Sequence, residues 1–242
     1  MRGWWLAAVA LCAAFVTACS GGGKGPTGPT ASPRLSKTRF LAFGDSITAG
    51  EVTSPVAGRD GGFTTLAIVP TASYPTVLQS RLTSTYPNQA ASITMNNAGA
   101  SNETLLEGVA RFEQVFPPTQ AQVVLLQEGV NNLGLIGPDT STGLMRIMVQ
   151  QAKNAGATPF VGSMLPTVAG RTRSQNAAAL VAYNNVLQVM CGQENVTYVD
   201  LYNALLPDAA SLIGSDGLHP TEAGYRRIAD VFFAAIQRQL EQ

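Results

Sequence analysis

The sequence predicts an α/β domain in which a mainly parallel sheet of five strands is covered by helices on both faces. From Arg39 onward, short apolar runs of strand length alternate with longer segments whose apolar residues recur every three or four positions. Strands that alternate with helices of this length are typical of parallel βαβ units, whose sheets are buried on both sides. No internal repeat interrupts the alternation.

Five runs of apolar residues predict the strands. The third run is the clearest, because it is almost wholly apolar, and the second is the weakest, because it is short. In chain order the runs are RFLAF (39–43), ASITMN (91–96), AQVVLLQ (121–127), TPFVGSML (158–165) and VTYVDL (196–201).

Five amphipathic segments predict the helices, and proline or glycine marks several of their ends. Their inward-facing residues are Tyr74, Leu78 and Leu82, with Pro75 in the first turn; Leu105, Val109, Phe112 and Phe116, before an end at Pro117–Pro118; Met145, Met148, Val149 and Ala152, before an end at Gly156; Leu180, Tyr183, Leu187 and Met190, towards Gly192; and Tyr225, Ile228, Phe232 and Ile236, in a helix from about Pro220 to the C-terminus.

The N-terminal residues predict export. Arg2 supplies a positive charge before an uncharged apolar run at 4–15, which is short for a membrane span. The following "VTAC" resembles a bacterial lipobox, in which Cys19 becomes the acylated first residue after cleavage; ordinary cleavage after Ala18 is the alternative. We therefore expect residues 1–18 to be a lipoprotein-type signal peptide and Cys19 to anchor the protein to a membrane of the cell envelope, on its periplasmic or extracellular face.

Residues 19–38 are predicted to form a flexible tether, because Gly, Pro, Ser and Thr dominate and no periodic pattern is present. Residues 39–242 are then predicted to form one folded domain. Gly23–Lys24 does not continue as a phosphate-binding loop, since Gly25 follows where Ser or Thr is needed. If Cys19 is acylated, Cys191 has no disulfide partner in the mature chain.

Charge and composition narrow the function classes. The 242 residues carry 15 basic and 15 acidic side chains, so no basic surface for nucleic acid is indicated. One histidine and scattered cysteines give no metal-ligand spacing. We therefore expect no metal, no cofactor and no nucleic-acid partner.

Three candidate stretches follow the first three predicted strands: Ser46, then Asn97–Gly99, then Gly129–Asn131. The carboxyl ends of parallel strands meet at one edge of the sheet, where sites form in open α/β folds. We therefore expect Ser46, Gly99 and Asn131 to lie close together.

A serine needs a base before its hydroxyl becomes a nucleophile, and His219 is the one histidine of the chain. Pro220 favours an extended conformation at His219 and starts the helix behind it. Asp216 is three residues away, close enough to accept from Nδ1 and leave Nε2 free for a serine. The alternative for "DGLHP" is a helix N-terminus with a capping aspartate and an incidental histidine.

Acyl transfer also needs hydrogen-bond donors for the developing oxyanion. The Ser46 amide, the Gly99 amide and the Asn131 side chain are candidates, although Gly99 and Asn131 taken singly are more often turn or cap residues.

Four ordered blocks, "GDSITAG", "NNAGASN", "GVNN" and "DGLHP", resemble those of the SGNH (GDSL-type) hydrolases. The resemblance implies a three-layer α/β/α, flavodoxin-like fold and cofactor-free serine esterase or lipase chemistry. It implies that Ser46 is the nucleophile, that Asp216 and His219 complete a catalytic triad, and that the Ser46 amide, Gly99 and Asn131 form the oxyanion hole. Asp45 is expected to cap or brace the turn. Asn132 departs from the pattern, because the family commonly has aspartate there.

The predicted activity is hydrolysis of a carboxylic ester through an acyl-enzyme on Ser46. Three alternatives stay open: a tethered ligand-binding module without catalysis, a glycan O-acetyltransferase with the same triad, and a phosphodiesterase or phosphatase. The sequence does not distinguish small-molecule, glycan and lipid esters, and it does not indicate an oligomeric state.

Three further segments are candidates for substrate contact. The connection Glu51–Ser73 is long enough for a lid or substrate wall. In Pro166–Gln175, Arg171 and Arg173 either meet an acidic substrate or are solvated surface charges. A last group of leucines forms either an acyl pocket or part of the core: Leu133, Leu135 and Leu218.

Overall fold

The computed structural model describes residue 1, residues 32–55 and residues 64–242. Contacts within the chain separate Met1–Ser32 from Pro33–Gln242, and all the elements described here belong to the second unit. Apart from Met1, the predicted signal peptide lies outside the described residues, as do Cys19 and most of the predicted tether.

The described ranges contain seven strands, eight α-helices and three short 3₁₀ turns. The strands are β1 (Arg39–Gly44), β2 (Glu51–Pro55), β3 (Thr64–Ile68), β4 (Thr94–Gly99), β5 (Val123–Gln127), β6 (Thr158–Gly162) and β7 (Thr197–Val199). The helices are α1 (Ser46–Ala49), α2 (Tyr74–Thr85), α3 (Leu105–Thr119), α4 (Pro138–Asn154), α5 (Ala177–Glu194), α6 (Leu201–Leu205), α7 (Ala209–Leu212) and α8 (Glu222–Leu240). The 3₁₀ turns are Pro87–Gln89, Val130–Asn132 and Leu206–Asp208.

Five of the strands form one sheet in the order β4-β1-β5-β6-β7, and every neighbouring pair is parallel. The predicted α/β fold with a five-stranded sheet is confirmed. The chain runs from β1 to one edge of the sheet and then, from β5 onward, to the other edge. The strand order therefore reverses between β1 and β5, which is where open sheets of this kind form their sites.

Helices cover the sheet in two groups. Helices α3, α4 and α5 pack side by side, while α2, α6 and α7 pack against α8. Since right-handed crossovers in opposite directions place their helices on opposite faces, the two groups flank the sheet. Strand β5 is buried along its whole length, and β1 is buried after Arg39. These continuous apolar runs are typical of strands covered on both faces.

The long connection after β1 contains an antiparallel hairpin, which the sequence analysis did not predict. Strands β2 and β3 pair from Glu51 with Ile68 to Pro55 with Thr64. Residues 56–63, the middle of the expected lid, lie outside the described residues. Strand β2 begins directly after Gly50, whose left-handed conformation (φ 93°) ends helix α1.

Two predicted boundaries are wrong near the second strand. Strand β4 begins three residues later than predicted and continues to Gly99, because its parallel register with β1 runs from Arg39 with Thr94 to Gly44 with Gly99. It is an edge strand and tolerates exposed Asn96 and Asn97, so it lacks the apolar run that marks the interior strands.

Three helix ends also differ from prediction. Helix α3 continues through Pro117 and Pro118 to Thr119, because proline's φ is compatible with the helix and only two amide donors are lost in its last turn. Helix α5 passes Gly192 and ends where Asn195 turns left-handed. Helix α8 starts at Glu222, with Thr221 as its cap, while Pro220 pairs with Ile213.

The two ends of this unit are joined. Leu35 and Glu241 form an antiparallel bridge, and Arg34 and Gln242 exchange two backbone hydrogen bonds of 3.1 and 2.8 Å. The chain then enters β1 at its amino end. No helix among residues 32–55 and 64–242 has both the length and the apolar character that a membrane span requires.

Candidate active site

Ser46 is held at the junction between β1 and α1. Asp45 caps the helix, as predicted, because its Oδ1 accepts from the Ile47 amide at 3.0 Å. Ser46 is the first residue of the helix, so its amide lies outside the helical hydrogen bonds and is available to a ligand. The short helix thus places the Ser46 hydroxyl and amide together at the carboxyl edge of the sheet.

A narrow loop between α7 and α8 carries the other two predicted residues. Ile213 pairs with Pro220, and the Gly214 amide donates to the carbonyl of His219 at 2.7 Å, which closes the loop. Inside it, Asp216 Oδ1 accepts from the Leu218 and His219 amides, both at 3.0 Å. The aspartate therefore organises the loop backbone as well as the ring.

The structure brings Ser46, His219 and Asp216 into one hydrogen-bonded chain. His219 Nδ1 lies 2.6 Å from Asp216 Oδ2, and His219 Nε2 lies 2.9 Å from Ser46 Oγ. The three residues are 3%, 1% and 0% exposed in the order serine, histidine, aspartate. This is the geometry in which a histidine can take the proton of a serine hydroxyl.

Asp216 fixes the orientation and the tautomer of the ring. Burial raises the pKa of Asp216, but hydrogen bonds from the His219 ring and from two loop amides outweigh that effect and hold the pKa below its usual value. An ionised carboxylate can only accept, so Nδ1 carries the proton and Nε2 of the neutral ring accepts from Ser46.

Comparison of this chain with models of known protein families identifies the family to which it belongs. The family model described as GDSL-like Lipase/Acylhydrolase matches residues 42–227, about three quarters of the chain. The chain belongs to that family. A comparison with curated proteins finds no match.

Solved structures share the fold of this GDSL-like protein. A lipase/acylhydrolase from Enterococcus faecalis is 21% identical, with a TM-score of 0.67 over 84% of this chain and 97% of its own. The acetyl xylan esterase AlAXEase is 20% identical, with a TM-score of 0.62 over 81% and 98%. A mutant of an acetyl-xylooligosaccharide esterase from Geobacillus Stearmophilus is also 20% identical, with a TM-score of 0.65 over 84% and 94%. At these identities the similarity establishes the fold.

Gly99 of this GDSL-like protein lies against the helix that carries Ser46. A Cβ on Gly99 would stand 2.5 Å from the Ala49 Cα and closer still to the Ala49 nitrogen, so only glycine allows β4 to approach α1 this closely. The Gly99 amide donates to Asn97 Oδ1 at 3.0 Å. To hold an oxyanion, that amide would exchange this partner for the substrate oxygen.

Asn131 follows β5, in the 3₁₀ turn Val130–Asn132. Its Nδ2 donates to the Glu103 carbonyl at 2.8 Å, which leaves the amide group a second N–H for another acceptor. The neighbouring Asn132 stands where the resemblance implies an aspartate. Its Oδ1 accepts from the Leu105 amide at 2.7 Å, at the start of α3. A carboxylate would accept in the same way, so the substitution preserves this link between the turn and α3.

A group of buried acids lies behind the Ser46 turn. Burial raises the pKa of Asp45 to about 6, although the Ile47 amide and His219 lower it. Burial and the nearby carboxylates of Asp45 and Glu103 raise the pKa of Glu128 well above its ordinary value. For Glu128 this environment favours the protonated carboxyl, whereas Asp45, with a pKa of about 6, is mostly ionised at neutral pH.

Arg171 has a structural role that the sequence did not reveal. Its guanidinium donates to the carbonyls of Ile213 and Gly214 at 2.7 and 2.8 Å, and to that of Ala210 at 3.2 Å. Arg173 contributes through its backbone, since its amide donates to the Asp216 carbonyl at 2.7 Å. The segment Pro166–Gln175 therefore holds the loop of Asp216 and His219 in place, while the side chain of Arg173 is exposed.

The leucines considered for an acyl pocket do not form one group. Leu133 and Leu135 line a cavity of about 340 Å³ between the Asn131 turn and helices α4 and α5, with Tyr183 at its wall. Leu218 is buried elsewhere, and neither Ser46 nor His219 is among the described residues that line the cavity.

Two polar residues of β2 reach the site and were missed by the sequence analysis. Glu51 Oε2 lies 3.3 Å from His219 Nε2. Thr53 Oγ1 lies 3.3 Å from Asp216 Oδ1. Glu51 and Thr53 are two positions apart on β2, so they lie on the same face of the strand. This spacing is the one signal in the sequence, and it is weak because the segment around it has the composition of a polar connection. Among the described residues, no group of three or more histidine, cysteine, aspartate or glutamate side chains is arranged to hold a metal ion.

Proposed function

We propose that this protein is a serine hydrolase that cleaves carboxylic esters through an acyl-enzyme on Ser46. One observation carries the proposal: His219 Nε2 is 2.9 Å from Ser46 Oγ while Nδ1 is 2.6 Å from a buried carboxylate. Membership of the GDSL-like Lipase/Acylhydrolase family supports the same chemistry. Two neighbours of the same fold are described as an acetyl xylan esterase and as a mutant of an acetyl-xylooligosaccharide esterase, and these descriptions also support ester hydrolysis.

In the proposed reaction, His219 takes the proton of Ser46 as the oxygen attacks the ester carbonyl. Asp216 stabilises the imidazolium that forms and keeps its orientation. The Ser46 amide, the Gly99 amide and the Asn131 side chain are the proposed donors to the negative oxygen of the tetrahedral intermediate. His219 then protonates the departing alcohol, and in the second half it deprotonates a water that hydrolyses the acyl-serine.

Covalent labelling tests this proposal directly. The purified protein, incubated with an aryl-bearing organophosphonate, is expected to gain the mass of one phosphonyl group, and peptide mapping should place it on Ser46. The reason is that only an activated serine attacks the phosphorus centre rapidly. Protein unfolded in denaturant is the matched control and should remain unlabelled. A native protein that stays unmodified over the same period, or labels on another residue, would contradict the assignment.

We also propose that the protein is exported and anchored through an acyl chain on Cys19. Support comes from the sequence alone, namely the short apolar run and the "VTAC" that precedes the glycine-rich tether. In a bacterium that acylates such cysteines, the parent protein should incorporate labelled fatty acid and sediment with membranes. Cys19→Ser should lose both properties. Equal labelling of parent and variant would rule out Cys19 as the anchor.

A further inference from the structure

A second carboxylate lies against His219, on the side of the ring that Asp216 does not occupy. Glu51 Oε2 is 3.3 Å from His219 Nε2, the same nitrogen that lies 2.9 Å from Ser46 Oγ. The other carboxylate oxygen, Oε1, accepts from Ser101 Oγ. Glu51 therefore bridges the histidine and the loop that follows Gly99.

The position of Glu51 is fixed by its surroundings. The residue is 4% exposed, and it begins β2 immediately after the left-handed Gly50. Its carbonyl accepts from the Tyr225 hydroxyl at 2.6 Å, and its backbone pairs with Ile68 across the hairpin. The backbone of Glu51 is therefore fixed by β3 and α8, and its carboxylate by Ser101 and His219.

The effect of the contact between Glu51 and His219 depends on whether Nε2 carries a proton. An unprotonated Nε2 offers a lone pair, which suits the Ser46 hydroxyl and is repelled by a carboxylate oxygen. A protonated Nε2 is a donor, which suits Glu51 well, because an opposite charge at this distance favours the charged ring. A 3.3 Å contact between Nε2 and a carboxylate oxygen therefore suits the ring when Nε2 is a donor.

Other groups face the ring from each packed element. Asp216 belongs to the loop of His219 itself, and Asp45 and Ser46 belong to the junction of β1 and α1. From α8, the Tyr225 hydroxyl contacts the backbone of Glu51; burial raises its pKa well above the ordinary value, so it stays neutral. Among the carboxylates that contact the described side chain of His219, Glu51 is the one on Nε2.

We propose that Glu51 is a positioning residue that acts through His219: its carboxylate competes with Ser46 for Nε2 and stabilises the protonated ring. Within the proposed ester hydrolysis, on which this inference rests, the contact has two effects. In the free enzyme it gives Nε2 a second partner beside the Ser46 hydroxyl. During acylation it stabilises the imidazolium that forms when Ser46 loses its proton.

The test uses the fact that His219 is the single histidine of the chain, so its ring signals in a nuclear magnetic resonance titration need no assignment. In Glu51→Gln the midpoint of the ring titration should fall by about one pH unit or more, the size expected when an opposite charge in contact is removed. Glutamine keeps the shape and can still accept from Ser101. Glu51→Asp, which keeps the charge, should restore most of the difference.

Glu107→Gln is the matched control, since Glu107 is exposed and its carboxylate bonds to Thr104 at the start of α3. It should leave the titration unchanged. The acid limb of kcat/KM for an aryl ester should move with the ring titration in all three variants. A Glu51→Gln protein that is folded by circular dichroism and titrates like the parent would overturn the inference.

The two proposals fail separately in this design. A shifted titration in a protein that hydrolyses no ester would refute the proposed function and leave the Glu51 contact standing. Full ester hydrolysis in a Glu51→Gln protein whose ring titration is unshifted would refute the role of Glu51 and leave the proposed function standing.

Discussion

Ser46→Ala is expected to reduce kcat/KM for a small aryl ester by about three to six orders of magnitude, the range that follows loss of a nucleophile which acts with its base as a unit. The thermal unfolding temperature should remain close to that of the parent. Ser46 is small and sits at the start of α1, where alanine also fits the backbone, so the loss reflects chemistry and not folding. Initial rates with aryl acetate, and a thermal scan of both proteins, check the two halves of this prediction.

Ser141→Ala is the matched control for that experiment. Ser141 is as buried as Ser46, at 3% exposed, but it lies in α4. The variant should hydrolyse the ester at the parental rate. If Ser46→Ala does so too, Ser46 is not the nucleophile and the proposed acyl-enzyme does not form there.

Gly99→Ala is expected to cost about 3 kcal/mol or more of unfolding free energy, because the new methyl group would overlap backbone atoms that cannot move independently. The overlap is with Thr48 and Ala49, in the helix that Ser46 begins. A variant that still folds should therefore also lose most of its activity, since α1 can make room only by shifting Ser46. Urea unfolding of parent and variant measures the first effect, and aryl-ester kinetics measure the second.

Gly143→Ala provides the comparison. Gly143 lies inside α4, and a Cβ there would meet no atom within 4 Å. Replacing a helical glycine by alanine should stabilise the protein by about 0.5–1 kcal/mol. The prediction is wrong if both alanine variants unfold at the same urea concentration.

Interior strands could be predicted from the sequence because their environment leaves a simple pattern. Phe40–Phe43 and Val123–Leu126 are buried on both faces, so each reads as an unbroken apolar run. Strand β4 has no such pattern, because an edge strand can carry exposed asparagines, and its register is set by pairing with β1. The helix through Pro117 shows a different limit, since proline in the last turn is compatible with a helix and does not mark its end reliably.

The candidate site also contains some residues whose positions could be predicted from the sequence and others whose positions could not. Ser46, Gly99 and Asn131 could be predicted to lie near one sheet edge because strand order converts sequence position into proximity. Glu51 and Arg171 could not, because their contacts join segments with no shared pattern. Glu51 meets a residue 168 positions away, and Arg171 holds a loop some forty residues further along the chain. Only folded geometry brings such partners together.

The antiparallel bridge between Leu35 and Glu241 determines where other molecules can be attached to the protein. Both ends of the unit Pro33–Gln242 lie beside the start of β1, whereas Ser46 follows its other end, about 20 Å away for six extended residues. Beads, fluorophores or partner domains joined at either end of this unit would therefore be attached far from Ser46. The same closeness makes the unit a candidate for circular permutation, with a short linker between Pro33 and Gln242.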